Sequence, residues 1–142
     1  PDARPLVRLA AELGWTTTLV EGDAQRTGLA ALPAPDARTA AVVMTHRYER
    51  DRALLAELLP SPAGYIGILG PRARTAQLLD DVRALGIVPS EDQRAKLFAP
   101  VGLDVGAETP EEVAIAIVGE VMAVFAGRVG GQLRQRKGSI HE

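Results

Sequence analysis

The chain has 142 residues, 46% of them hydrophobic, with a formal net charge of -2 and a pI near 5.7. That length supports one hydrophobic core rather than two, so residues 1–142 read as a single domain. The slightly acidic balance excludes a polycationic surface for nucleic acid or anionic membrane, and the absence of cysteine excludes disulfides, thiolate metal sites and a cysteine nucleophile.

Residues 2–14 place Leu6, Leu9, Ala10 and Leu13 at helical spacing, with Gly14 as the stop. Residues 15–20, rich in Thr and Val, predict a strand, with Glu21 just past its last apolar residue. In a dinucleotide-binding βαβ unit an acidic residue at that position takes the ribose hydroxyls, although strands also commonly finish in a charge. A helix of the first kind normally follows a buried strand and a Gly-x-Gly turn, whereas this sequence starts on the helix. In a parallel Rossmann sheet the strand in question is the central one. The expectation is that residues precede Pro1 in the full polypeptide; a strand from another chain or a rearranged sheet are the alternatives.

Residues 22–38 read as a Gly-, Pro- and Ala-rich loop with two core-bound leucines. The run from Ala40 to Met44 predicts a strand covered on both faces. Its carboxyl end delivers Thr45 and His46 to the edge where open α/β sheets bind ligands, although a histidine there can equally be a structural hydrogen-bonder. Tyr48, Glu49 and Asp51 are titratable neighbours. Residues 50–59 predict a helix with Leu54, Leu55 and Leu58 on one side, stopped by Pro60 and Pro62. Residues 64–70 predict a strand in which Gly67 marks close packing. The turn Gly70-Pro71-Arg72 then opens a helix that carries Leu78, Leu79, Val82 and Leu85 inward and ends at Gly86. Arg72 and Arg74 oppose the dipole of that helix, which points to an anion such as phosphate or, alternatively, to acidic surface neighbours.

Ser90 and Gln93 form a capping box that opens a short helix through Leu97. Residues 98–112 form a loop in which Gly102 and Gly106 permit positive φ or close approach to a ligand. Its Asp104 and Glu108 suit hydroxyl or amine groups or a metal, or else satisfy the loop's own backbone. Thr109 as N-cap, Pro110 at the first position and Glu112 three residues after the cap start a helix over residues 110–126. That helix is apolar nearly all round, so it is buried or lies at an interface, and a homo-oligomer is expected. Gly127 closes it. The basic run at residues 134–137 reads as a solvated tail. No apolar run reaches the length of a membrane span and no signal peptide opens the sequence, which sets the expectation of a soluble cytoplasmic protein. Strands alternating with helices, without internal repeats, predict α/β: a Rossmann-like, mainly parallel sheet with helices on both faces, its first strand and glycine loop outside this sequence.

The loop from Phe98 to Glu112, with Met44-Thr45-His46, Tyr65 to Arg72, and Asp2 to Leu6 ahead of Gly14-Trp15, resembles the C-terminal Rossmann domain of the XdhC/CoxI family. These are accessory proteins for xanthine dehydrogenase, carbon monoxide dehydrogenase and related molybdenum hydroxylases. The resemblance covers nearly the whole chain with spaced motifs in the right order. It implies a maturation factor, rather than a classical metabolic enzyme, that binds molybdenum cofactor (molybdopterin alone or as its dinucleotide). Such a factor supports sulfuration of the cofactor and its delivery to the apoenzyme. The implied partners are the molybdenum hydroxylase apoenzyme and a cysteine desulfurase. The implied crevice is lined by His46, Gly70, Arg72, Asp104 and Glu108, with Glu21 at the ribose-type position; Thr45 and Arg74 complete the candidate cofactor-binding set. No catalytic residue and no metal ligand is assigned. The family's Gly-Ala-Gly loop would stand immediately before Asp2, and its N-terminal domain, which often carries a cysteine, lies outside this sequence. Two other readings remain open: an NAD(P)-dependent oxidoreductase domain, in which Glu21 favours NAD, and a non-catalytic interaction module that docks through its apolar last helix.

Overall fold

The computed structural model describes residues 3–21, 29 and 32–141. The elements run α1 (Arg4–Glu12), β1 (Ala40–Val43), α2 (Tyr48–Leu58), β2 (Tyr65–Ile68), α3 (Arg72–Ala84), α4 (Glu91–Ala95), β3 (Leu97–Phe98) and α5 (Pro110–Phe125), with a short 3-10 turn at Leu133–Gln135. The strands form a three-stranded sheet in the order β1-β2-β3, with both pairs parallel. Parallel strands joined through helices are the α/β class expected from the sequence.

β2 is the centre of the molecule, and all four of its residues are buried. Successive side chains of a strand point to opposite faces. Ile66 and Ile68 therefore join Val43, Leu55, Leu78 and Val82 in the core beneath α2 and α3. Tyr65 points the other way, against Ile117 and Val121 of α5, with Leu6 of α1 at the margin. Helices thus cover both faces. Gly67 is small because a Cβ there would stand 2.4 Å from Val101 Cγ2 and 3.0 Å from Tyr65 Cε1.

The structure departs from the sequence reading in several places. Residues 15–20 form no strand, and Trp15 and Leu19 are exposed. An extended segment becomes a strand only when a ladder takes up its N–H and C=O groups. β1 pairs with β2 alone, and among the described residues nothing occupies the position on its other side. For the same reason only Val43 of β1 is buried, although coverage of the whole strand was expected. Most of the expected loop at 22–38 lies outside the described residues, but Leu29 packs on the core and donates its N–H to Glu57.

Other differences are local. α2 starts at Tyr48, and Pro71 caps α3 rather than entering it. α3 ends at Ala84, so Leu85 is 62% exposed instead of inward. The helix expected through Leu97 stops at Ala95, because Leu97 and Phe98 pair with Ile66 and Gly67 as β3. A strand of two residues carries no periodicity to read. The capping boxes at Ser90 and Thr109 are both present as expected.

Candidate functional site

Parallel pairing brings the loops that follow β1, β2 and β3 to one edge of the sheet, where α/β domains bind ligands. After β1, His46 adopts φ 61, a left-handed conformation uncommon for residues other than glycine, although histidine takes it more often than most, as asparagine and aspartate do. The turn around it is pinned from both sides. Thr45 Oγ1 accepts the Arg47 N–H at 3.1 Å and donates to the carboxylate of Asp51. Asp51, one turn into α2, is 1% exposed and receives Arg74 Nη1 at 2.8 Å. The Arg74 guanidinium also lies 5.6 Å from the centre of the Tyr48 ring. Tyr48 donates its hydroxyl to Asp81, and loss of solvent together with that carboxylate pushes it above its ordinary pKa.

After β2, Gly70 has φ 134, a region glycine alone adopts readily, and the chain turns directly into α3. The arginines of that first turn divide. The charge of Arg74 is matched by Asp51, an acidic neighbour as the alternative reading has it, although a buried one rather than one on the surface. Arg72 is exposed at the first position of α3 and makes no ion pair among the described residues. The first turn of α3 contains no acidic residue and has no side-chain cap; the Arg74 N–H bonds the Pro71 carbonyl at 3.1 Å, which leaves the Arg72 and Ala73 N–H groups to face an anion.

After β3, the loop is latched to α5. Leu103 N–H bonds Ala116 O at 3.1 Å, and Gly102 N–H bonds Glu120 Oε1 at 3.0 Å. The same carboxylate accepts the Tyr65 hydroxyl at 2.7 Å. Burial, and then the Glu120 carboxylate, push the Tyr65 hydroxyl far above its ordinary pKa. Gly102 and Gly106 take φ 105 and 71, as the loop reading expected. Asp104 and Glu108 do not serve the loop's backbone: among the described residues neither side chain makes a hydrogen bond or ion pair, and both are exposed. Glu112 does so instead, accepting the Glu108 N–H at 3.2 Å and the Thr109 N–H at 3.0 Å. Those N–H groups hold the Glu112 carboxyl below its ordinary pKa.

Beside the open edge of β1 lies a cavity of about 1580 Å³, walled by α1, residues 15–21, β1 and α5. Glu21, Thr45 and His46 line it; Gly70, Arg72, Arg74, Asp104 and Glu108 do not. The candidate residues therefore fall into two sets, one on the cavity wall and one at the carboxyl edge near β2 and β3. The Val43 carbonyl bonds Leu69 N–H, so alternation along a parallel ladder turns the Val42 N–H and C=O toward the cavity. The volume exceeds the roughly 300–1000 Å³ of ordinary ligand pockets.

Sequence reasoning named Asp51 only as a neighbour and passed over Glu120. The signal was available for both. Asp51 shares the inward face of α2 with Leu55 and Leu58 at i+4 and i+7, and Glu120 sits well inside the apolar helix α5. Among the described residues no group of three or more His, Cys, Asp and Glu is placed to hold a metal ion, and no helix is long and apolar enough to cross a membrane.

An open parallel sheet, helices on both faces and loops converging at its carboxyl edge define an α/β domain of the Rossmann type. The chain belongs to the XdhC Rossmann domain family, which it matches over residues 1–121. It is 35% identical over 102 residues to the uncharacterized protein YqeB of Escherichia coli K12, covering 72% of this chain and 18% of that protein. It is 30% identical to a probable xanthine dehydrogenase subunit of Bacillus subtilis 168, covering 86% of this chain and 39% of the relative. A crystal structure described as a xanthine dehydrogenase from Bacillus halodurans superposes with a TM-score of 0.71 at 29% identity, covering 89% of this chain and 42% of that one. The chain thus spans less than half the length of each.

Proposed function

We propose that this chain is the cofactor-handling domain of an accessory protein that binds molybdenum cofactor and assists its sulfuration and insertion into a xanthine dehydrogenase-type molybdenum hydroxylase. Family membership supports the class, and one observation of the structure carries the binding mode. Arg72 stands without an ionic partner among the described residues, at the uncapped N-terminus of α3 on the carboxyl edge of the sheet. A phosphate suits both the guanidinium and the helix N–H groups. Asp104 and Glu108 offer uncommitted carboxylates for the amine groups of a pterin, and His46 and Thr45 lie on the wall of the cavity beside β1. Gly70 lets the chain turn tightly beneath Arg72. Glu21 would meet a ribose if the cofactor carries a nucleotide. Arg74 contributes to shape rather than to phosphate charge, because Asp51 neutralises it.

The bound cofactor supplies the molybdenum centre that receives sulfur; this chain holds and orients it. A partner cysteine desulfurase supplies the sulfur. The hydroxylase apoenzyme is the acceptor. Ile115 and Met122, 60% and 52% exposed on α5, are the apolar groups through which the expected homo-oligomer or apoenzyme contact would form. The compartment is the cytoplasm, where such apoenzymes mature. NAD binding is the second reading, because Glu21 lies on the cavity wall beside the open edge of β1.

Parallel anaerobic titrations with molybdenum cofactor and NAD test the proposal. Cofactor binding is expected, weakened about tenfold in Arg72→Ala, the loss of one charge-assisted hydrogen bond. Binding of NAD alone selects the second reading, and binding of neither removes both.

A further inference from the structure

We propose that Asp51 is a positioning residue: through Thr45 it holds His46 in its left-handed conformation at the mouth of the cavity. The inference rests on the reading of the carboxyl edge as the ligand site. It deepens that reading by assigning the buried group behind the edge.

Asp51 is 1% exposed, and its two carboxylate oxygens are committed to different elements. Oδ2 receives Arg74 Nη1 at 2.8 Å, from the first turn of α3. Oδ1 receives the Thr45 hydroxyl, from the turn after β1. The same hydroxyl has the Arg47 carbonyl as a longer alternative acceptor at 3.2 Å, and its oxygen accepts the Arg47 N–H at 3.1 Å. The Arg47 carbonyl in turn accepts the Asp51 N–H at 2.9 Å. The residue enclosed by this ring of bonds is His46, at φ 61. A residue with a Cβ meets a steric cost there, smaller for histidine than for most, and a strained backbone conformation persists where the surroundings over-determine it. Asp51 is the part of those surroundings that links the first crevice loop to the second. Gly70, whose φ of 134 glycine alone adopts readily, makes the turn that leads into α3 and so to Arg74.

A buried ion pair that served packing alone would stabilise the fold without dictating the conformation of residue 46. Backbone NMR separates the two. In the folded wild-type chain the coupling constant and nuclear Overhauser pattern of His46 should report positive φ. In Asp51→Ala and Thr45→Val, which remove the acceptor and the hydroxyl, those signals are expected to move toward the ordinary negative-φ pattern, while Thr45→Ser, which keeps the hydroxyl, retains them. Unchanged His46 signals in a folded Asp51→Ala or Thr45→Val chain would overturn the proposal, as would Thr45→Ser behaving like Thr45→Val. If Asp51→Ala does not fold, Thr45→Val against Thr45→Ser decides alone. A second arm uses molybdenum cofactor as the probe. Asp51→Ala should bind it about tenfold more weakly, and adding His46→Gly, which takes positive φ freely, should remove most of the difference between the wild-type and Asp51→Ala backgrounds. The NMR arm needs no ligand, so failure of cofactor binding in the wild-type chain would strike the proposed function and leave the positioning role standing.

Discussion

The two faces of the sheet are built to different degrees of completion. Beneath α2 and α3, Leu55, Ile66, Ile68, Leu78 and Val82 are all fully buried, and the charged Asp51 among them is matched on both oxygens. Beneath α1 and α5 the buried cluster shrinks to Tyr65, Ile117 and Val121, while Leu13, Trp15, Met122 and Phe125 stay exposed on that side of the molecule. The contrast follows from the strand order. Among the described residues β1 has a neighbour on one side only, so α1 and α5 have less sheet to cover. Stability is concentrated on the closed face.

The largest test of that contrast is Ile66→Ala, which should cost about 2–5 kcal/mol in urea unfolding, as a large-to-small change in a closed core does. Ile117→Ala, the same change on the open face, should cost clearly less; equal losses would show that the two faces are equally packed. Tyr65→Phe comes next, at roughly 1–3 kcal/mol, because Glu120 keeps only the Gly102 N–H in place of two donors. Its signature is alkaline. The folded-state pKa of Tyr65 is raised above its ordinary 10.0, so its contribution is whole below pH 10 and is lost as pH climbs above that value. Tyr65→Phe should flatten the part of the pH profile above 10 that belongs to this residue, and an unchanged slope there would break the assignment.

Smaller effects are expected at the entrance of α5. Thr109→Ala should cost about 1 kcal/mol by removing the cap on the Glu112 N–H. The Glu112 carboxyl is depressed below its ordinary 4.5, so its contribution is present above that value and is lost as pH falls beneath it. Glu112→Gln, which can still accept in the capping box, should weaken that acid dependence; denaturant midpoints across the acid range measure it. The smallest change is Met122→Ser, within about 0.5 kcal/mol for an exposed position. A loss comparable to that of Ile66→Ala would mean that α5 is covered in solution.

Much of the fold was legible because it is local. The α5 entrance needed only Thr109, Pro110 and Glu112, and the short α4 only Ser90 and Gln93. Gly102 and Gly106 announced their positive φ, and Gly67 its tight contact with Val101. The candidate site was legible as an edge, since strand ends can be read from apolar runs, but not as a set of partners. Arg72 and Arg74 look alike two residues apart in the sequence; only one reaches Asp51. Asp104 and Glu108 looked like the natural partners of the loop backbone, yet Glu112 has the better geometry because the helix holds it at the cap.

The sequence by itself determined the α/β class, the capped starts of α4 and α5 and the glycine turns, since capping, φ preference and hydrophobic period act within a few residues. The tertiary structure alone decided that residues 15–20 stay out of the sheet, that Leu97 and Phe98 enter it, and that Asp51 joins the turn at His46 to the first turn of α3. Each of these depends on whether a ladder edge or a charged group meets a partner far away in the chain, and backbone hydrogen bonds and buried charges are stable only when that partner is in place.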